Sequence, residues 1–199
     1  MARTLRYKTG MSTIAVYCGS SSGARPGYFD AANLMGRRIA ESGHALVYGG
    51  GDVGLMGAVA NAALAAGGEV VGVITQYLAD KELSHPGLTE LVVVGTMHER
   101  KQEMAERADA FIALPGGVGT LEEIIEVFVW TQLGLQQKPC GFLNVAGFYS
   151  KLIEFLESMI NESFMKKEHL EALLVSEDVD DLLKLLTSAE PSYHAKWQD

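Results

Sequence analysis

Short apolar runs recur along the chain, separated by longer stretches in which apolar positions return every three or four residues. The runs read as strands over Thr13–Cys18, Ala45–Tyr48, Val70–Thr75, Leu91–Val94, Ala110–Leu114, Pro139–Leu143 and Leu173–Val175. The periodic stretches predict helices over Pro26–Ser42, Val53–Ala66, Met97–Ala108, Thr120–Leu133, Phe148–Ile160 and Val179–Leu186. Pro26 suits a first helical position and Gly67-Gly68 suit a helix end. The strands are continuous apolar runs, the pattern of a parallel sheet covered on both faces. Their alternation with helices predicts a doubly wound α/β fold, Rossmann-like, with a mainly parallel sheet of about seven strands. No internal repeat or linker interrupts it. A single domain over residues 12–187 is expected, with flexible tails at 1–11 and 188–199.

In such folds ligands bind beyond the C-terminal ends of the strands. Three glycine-rich turns fall there: Gly19–Gly23, Gly49–Gly57 and Gly116–Gly119. Glycine lets backbone N–H groups approach a ligand closely, and a helix N-terminus adds partial positive charge. The turns therefore suit a phosphate. The spacing of Gly49, Gly51 and Gly54 matches a dinucleotide fingerprint, but the strand that follows ends in Thr75-Gln76, with no acid for a ribose hydroxyl. A mononucleotide or phosphosugar fits better than NAD. Close helix–strand packing is the plainer explanation of these glycines.

Two further patterns concern charge. In the helix from Met97, one face carries Met97, Arg100, Lys101, Met104, Ala105 and Ala108. Two cations thus replace apolar residues near a helix N-terminus, the wrong end for the dipole. A bound anion or an acidic neighbour would explain them, as would side chains reaching from the helix end into solvent. His98 beside them reads as a capping or surface residue. In the helix after Gly119, Leu121, Ile124, Ile125 and Phe128 form the apolar stripe. Thr120 and Glu123 share another side, so Thr120 can offer its hydroxyl to a ligand held by the glycine turn. Acids in a first helical turn favour the dipole, which is the plain reading of Glu122 and Glu123. A carboxylate would repel a phosphate, however. The two are reconciled if the phosphate occupies the turn and the acid faces a sugar C1′ that gains positive charge during glycosidic cleavage.

Composition narrows the rest. The chain has 199 residues, 48% hydrophobic and 21% charged, enough for one domain with a large core. The net charge of −9 argues against non-specific nucleic-acid binding, so an anionic ligand would need a local positive cluster. Cys18 and Cys140 are too few for a disulfide framework or a cysteine zinc site and are expected to be buried thiols. No apolar run is long enough for a membrane span, and residues 1–11 do not resemble a secretory signal. A cytoplasmic protein needing no metal and no cofactor is expected.

Taken together, "YGGGDVGLMG", "MHERK" and "PGGVGTLEE" resemble the Lonely Guy (LOG) family of cytokinin riboside 5′-monophosphate phosphoribohydrolases. "VYCGSSSG" and "WTQLGLQQKPCGFLN" extend the likeness over roughly residues 12 to 187. The resemblance implies hydrolysis of the N-glycosidic bond of cytokinin riboside monophosphates, of AMP, or of both. It maps a catalytic pair onto Arg100 and Glu123. It maps substrate contacts onto Glu82, Lys101 and the stretch Gly117, Val118, Gly119, Thr120, Leu121, Glu122, with Ser20, Gly50 and Met97 as further contacts. Val129 departs from the Thr of plant members, so base preference does not carry over. The resemblance also implies a homodimer or larger homo-oligomer. A lysine decarboxylase is not supported, since no pyridoxal-phosphate lysine context is recognisable. Molybdenum-cofactor carriers, similar in fold, offer the alternative of a binding protein that does not cleave its ligand. The Arg100–Glu123 pair separates the two readings.

Overall fold

A computed structural model describes residues 12–81 and 83–189. Seven strands, β1 (Thr13–Tyr17), β2 (Ala45–Tyr48), β3 (Val70–Thr75), β4 (Glu90–Val94), β5 (Ala110–Ala113), β6 (Cys140–Leu143) and β7 (Leu173–Ser176), form one sheet. Every pairing is parallel, in the order β4-β3-β2-β1-β5-β6-β7. This is the expected doubly wound, Rossmann-like sheet. The order reverses between β1 and β5, which opens a crevice beyond their C-terminal ends.

Successive residues of β1 serve opposite faces. Ile14 and Val16 join the core under α1 (Pro26–Glu41) and α2 (Gly54–Ala65), while Ala15 and Tyr17 join the other core. That second core packs beneath α4 (Met97–Arg107), α5 (Val118–Gln132) and α6 (Ser150–Asn161). The last helix, α8 (Val179–Ser188), returns to the first face through Val179, Leu182, Leu183 and Leu186. Helices α1 and α2 cross closely at Gly36, where a Cβ would stand 2.1 Å from the Val59 carbonyl oxygen.

All seven predicted strands and all six predicted helices are present; β2 and β3 have the predicted ends, and the other elements differ at one or both ends by one or two residues. Two short helices escape the periodicity because neither is long enough to show it: α3 (Gln76–Ala79) and α7 (Lys167–Glu171). A single 3₁₀ turn over Val145–Gly147 was likewise not visible as a pattern. The sheet departs from full burial at edge strand β4. Val92 and Val94 pack against the α4 side, whereas Leu91 and Val93 are 39% and 45% exposed. Both cysteines are free and buried. Among the described residues, no helix is long and apolar enough to cross a membrane and no cluster of residues is arranged to hold a metal. The expected tails lie outside the described residues, except Ser188, which ends α8, and Ala189.

Candidate active site

The three glycine turns meet at the crevice and are tied together by backbone bonds. The Gly19 N–H donates to the Pro115 carbonyl at 3.1 Å. The Gly19 carbonyl accepts from Leu55 and Met56 at 3.0 and 3.3 Å, which satisfies the first turn of α2. Helix α5 is different. Its N-cap is Gly117, and no side chain caps it. The exposed turn Gly117–Gly119 therefore presents a helix N-terminus to the crevice without a protein anion on it. A cleft of about 350 Å³ opens at this point, within the range of small-molecule sites.

Arg100 projects from the first turn of α4 into the side of this cleft and is only 8% exposed. Its Nε donates to the Val73 carbonyl at 2.9 Å and its Nη2 to the Gly49 carbonyl at 3.2 Å. The remaining nitrogen, Nη1, lies 3.5 Å from Glu123 Oε1. Gly49 is what makes room for the guanidinium: a Cβ there would stand 2.0 Å from Nη2. Gly54, at φ +59°, brings its backbone so close to the Ser20–Ser21 turn that a Cβ would stand 2.4 Å from Ser20 C. The fingerprint-like spacing thus makes room for an arginine side chain and a close turn, rather than for the helix–strand crossing of the packing explanation.

The two acids of α5 separate in role. The helix begins at Val118, two residues earlier than the pattern predicts, so its first turn holds no acid. Glu122 and Glu123 lie in the second turn, where the dipole has largely faded, and the dipole explanation of both is corrected. Glu122 pairs with Lys101, whose Nζ also meets Glu126 Oε2 at 3.0 Å. Burial alone would lower the Lys101 pKa, but the two carboxylates turn the net shift upward. The acidic neighbour that the two buried cations required is therefore present for each. Glu123 is 12% exposed at its side chain. Burial raises its pKa, Arg100 and Lys101 pull it down, and Glu122 and Glu126 add to the rise; the net direction is upward. Burial likewise pushes up the Cys18 thiol, which borders the cleft.

Of the residues marked in the sequence, Ser20, Met97, Arg100, Gly117, Gly119, Thr120, Glu122 and Glu123 line the cleft. Thr120 is buried, and its Oγ1 occupies the space that a Cβ on Gly116 would need. Four others lie differently. Lys101 borders a second cavity, which its partner Glu126 also lines. Gly50 holds the turn at φ +75° and its carbonyl accepts from His85 N–H. Val118 is 88% exposed, and Leu121 packs into the core. Glu82 falls outside the described residues. His98 is exposed; the cap of α4 is instead a reciprocal Thr96–Glu99 box, legible as T-x-x-E. Pattern reading missed the apolar wall of the cleft, to which Met56, Leu78 and Leu83 contribute. Only their spatial convergence reveals it.

Fold and site define a Rossmann-like protein with a glycine-walled cleft and a buried arginine–glutamate pair on its side. Comparison with known proteins narrows the class. Residues 56–186 match the family model described as "Possible lysine decarboxylase". The cytokinin riboside 5′-monophosphate phosphoribohydrolase LOG7 of Arabidopsis thaliana is 44% identical over 186 residues, 94% of this chain and 86% of that protein. The phosphoribohydrolase LOG of Oryza sativa subsp. japonica is 44% identical over 188 residues, 94% of this chain and 78% of that one. The chain belongs to the Lonely Guy (LOG) family of cytokinin riboside 5′-monophosphate phosphoribohydrolases. Among solved structures, the molybdenum cofactor binding protein of Rippkaea orientalis superposes with a TM-score of 0.70 at 22% identity, covering 91% of this chain and 98% of that one. The Moco carrier protein of Chlamydomonas reinhardtii gives 0.69 at 22% identity, covering 89% and 98%. These two likenesses establish a shared fold.

Proposed function

We propose that the protein hydrolyses the N-glycosidic bond of nucleoside 5′-monophosphates, namely cytokinin riboside 5′-monophosphates, AMP, or both, releasing free base and ribose 5-phosphate. One observation carries the reading: a carboxylate, Glu123, is held in a nearly buried ion pair with Arg100 on the wall of an anion-receptive cleft. A protein that merely holds a phosphate gains nothing from a buried negative charge beside it. An enzyme that generates positive charge at C1′ does.

In this reading the phosphate sits at the uncapped start of α5, on Gly117, Gly119 and Thr120. The ribose then extends toward Glu123. As the C1′–N bond loosens, the sugar becomes oxocarbenium-like, and the carboxylate stabilises it and directs a water onto C1′. The departing base keeps the bonding electron pair and takes a proton, while the water loses one. Arg100 is no proton donor, since a guanidinium stays charged in proteins. Its role is to fix Glu123 and hydrogen-bond the sugar–phosphate, for which its anchorage to Val73 and Gly49 preorganises it. Ser20, Met97 and Glu122 border the same cleft, which supports their assignment as contacts. For Lys101 the ion pair with Glu122 and Glu126 favours an indirect role. The protein acts in the cytoplasm, a compartment in keeping with its two free thiols, and as a homodimer or larger homo-oligomer.

Glu123→Gln tests the assignment. It keeps shape and hydrogen bonding but removes the charge. Turnover should fall by about a hundredfold to a thousandfold, the scale of losing one main electrostatic stabiliser, with nucleotide affinity unchanged or tighter. A variant with full activity would assign the chemistry to another group.

A further inference from the structure

The segment from Leu83 to Leu88, between α3 and β4, is a strap laid across the second glycine turn. Ser84 forms an antiparallel bridge with Gly51. The Leu83 carbonyl accepts from Asp52 N–H at 3.1 Å, and His85 N–H donates to the Gly50 carbonyl at 2.9 Å. Leu83 itself forms part of the apolar wall of the cleft. Leu88 packs into the core beyond.

The His85 ring, 6% exposed, is wedged beneath this strap. Its Nδ1 accepts the Gly87 N–H at 3.1 Å. Nδ1 therefore carries the lone pair, and the ring proton is on Nε2. Nε2 lies 3.1 Å from Asn61 Oδ1, to which it donates, and 3.5 Å from Asp52 Oδ1. Asn61 lies on α2, outside the cleft. The neutral imidazole thus spans from the strap to the helix that starts at the glycine turn, accepting at one end and donating at the other. No other neutral side chain offers that pair of functions on one rigid ring.

We propose that His85 is a positioning residue for the nucleotide. Its ring is a strut that locks the strap to α2, sets the height of Leu83 over the cleft and holds the Gly50–Asp52 backbone beneath. It touches no reacting atom and acts on binding through Leu83 and the glycine turn. The proposal rests on the nucleotide reading of that cleft, and the experiment keeps the two apart.

AMP affinity is measured by calorimetry in a Glu123→Gln background, where no turnover interferes, together with the melting temperature of each protein. His85→Ala and Asn61→Ala are compared with the parent. Loss of the strut should weaken AMP binding about tenfold in His85→Ala and less in Asn61→Ala, and His85→Gln, which keeps a donor toward Asn61, should recover part of the loss. A buried histidine with a merely structural role would lower the melting temperature and leave the affinity of the folded protein unchanged; that result overturns the proposal. Should His85→Ala not fold, unchanged affinity in Asn61→Ala and His85→Gln overturns it equally. Failure of wild-type protein to release base would instead count against the hydrolase reading and leave this affinity comparison standing.

Discussion

Glu123 is ionised with difficulty because burial favours its neutral form, and Arg100 only partly offsets this. Two consequences follow at this residue. The proposed reaction uses the ionised carboxylate, so turnover should fall as pH drops through the Glu123 pKa. That acid limb of kcat/KM, which reports the free enzyme, should lie above the ordinary glutamate value of 4.5, and a profile with its limb below that value would contradict the assigned role. Stability has the opposite sign. The folded state holds the proton more tightly than the unfolded chain, so the contribution is fully present below the ordinary pKa and is lost as pH rises through the raised one. Glu123→Gln should therefore melt no lower than wild type at neutral pH, checked by calorimetry. Arg100→Ala should lose both turnover and nucleotide affinity, because it removes the partner of Glu123 and leaves the Val73 and Gly49 carbonyls without their donor. The chemistry of this pair was legible as two oddities: cations on an apolar stripe, and an acid behind an anion-binding turn. Periodicity alone did not say which cation meets which acid, although the family resemblance paired Arg100 with Glu123, which stand 3.5 Å apart. That depends on α4 and α5 facing each other across the second turn of α5, and the register of that turn shifted once the helix proved to begin at Val118.

Among elements, the glycines separate packing from function. Gly36 and Gly49 both lack room for a Cβ, but against different neighbours. At Gly36 the obstacle is the Val59 backbone, so Gly36→Ala must push α1 from α2. It should lower stability by about 1–3 kcal/mol, the usual range for overpacking, read by urea unfolding, while the folded fraction keeps its specific activity. At Gly49 the obstacle is the Arg100 guanidinium, so Gly49→Ala should displace it and reproduce the kinetic defect of Arg100→Ala. Normal kinetics in Gly49→Ala would mean that the arginine position is not critical. Strands and long helices were readable because their apolar periods are long enough to register. The short helix α3 was not, and the strap after it has no period at all; its form comes from Ser84, His85 and Leu83 bonding to a distant turn. For the same reason the apolar wall of the cleft was invisible in the sequence, since Met56, Leu78 and Leu83 belong to three separate segments.

At the scale of the molecule, a parallel sheet with its order reversing between β1 and β5 places three unrelated turns at one crevice. The chain carries a net charge of −9, so attraction of an anionic substrate has to come from the crevice itself: the Arg100 guanidinium and the bare start of α5. A substrate should then be recognised through its phosphate before its base. The decisive measurement is base release, followed by chromatography, from AMP and isopentenyladenosine 5′-monophosphate, with adenosine and isopentenyladenosine as controls. Release from the monophosphates and not from the nucleosides is the predicted result, and the ratio of the two rates gives the base preference. No release from either monophosphate, with both still binding tightly, would contradict the hydrolase and make the protein a carrier.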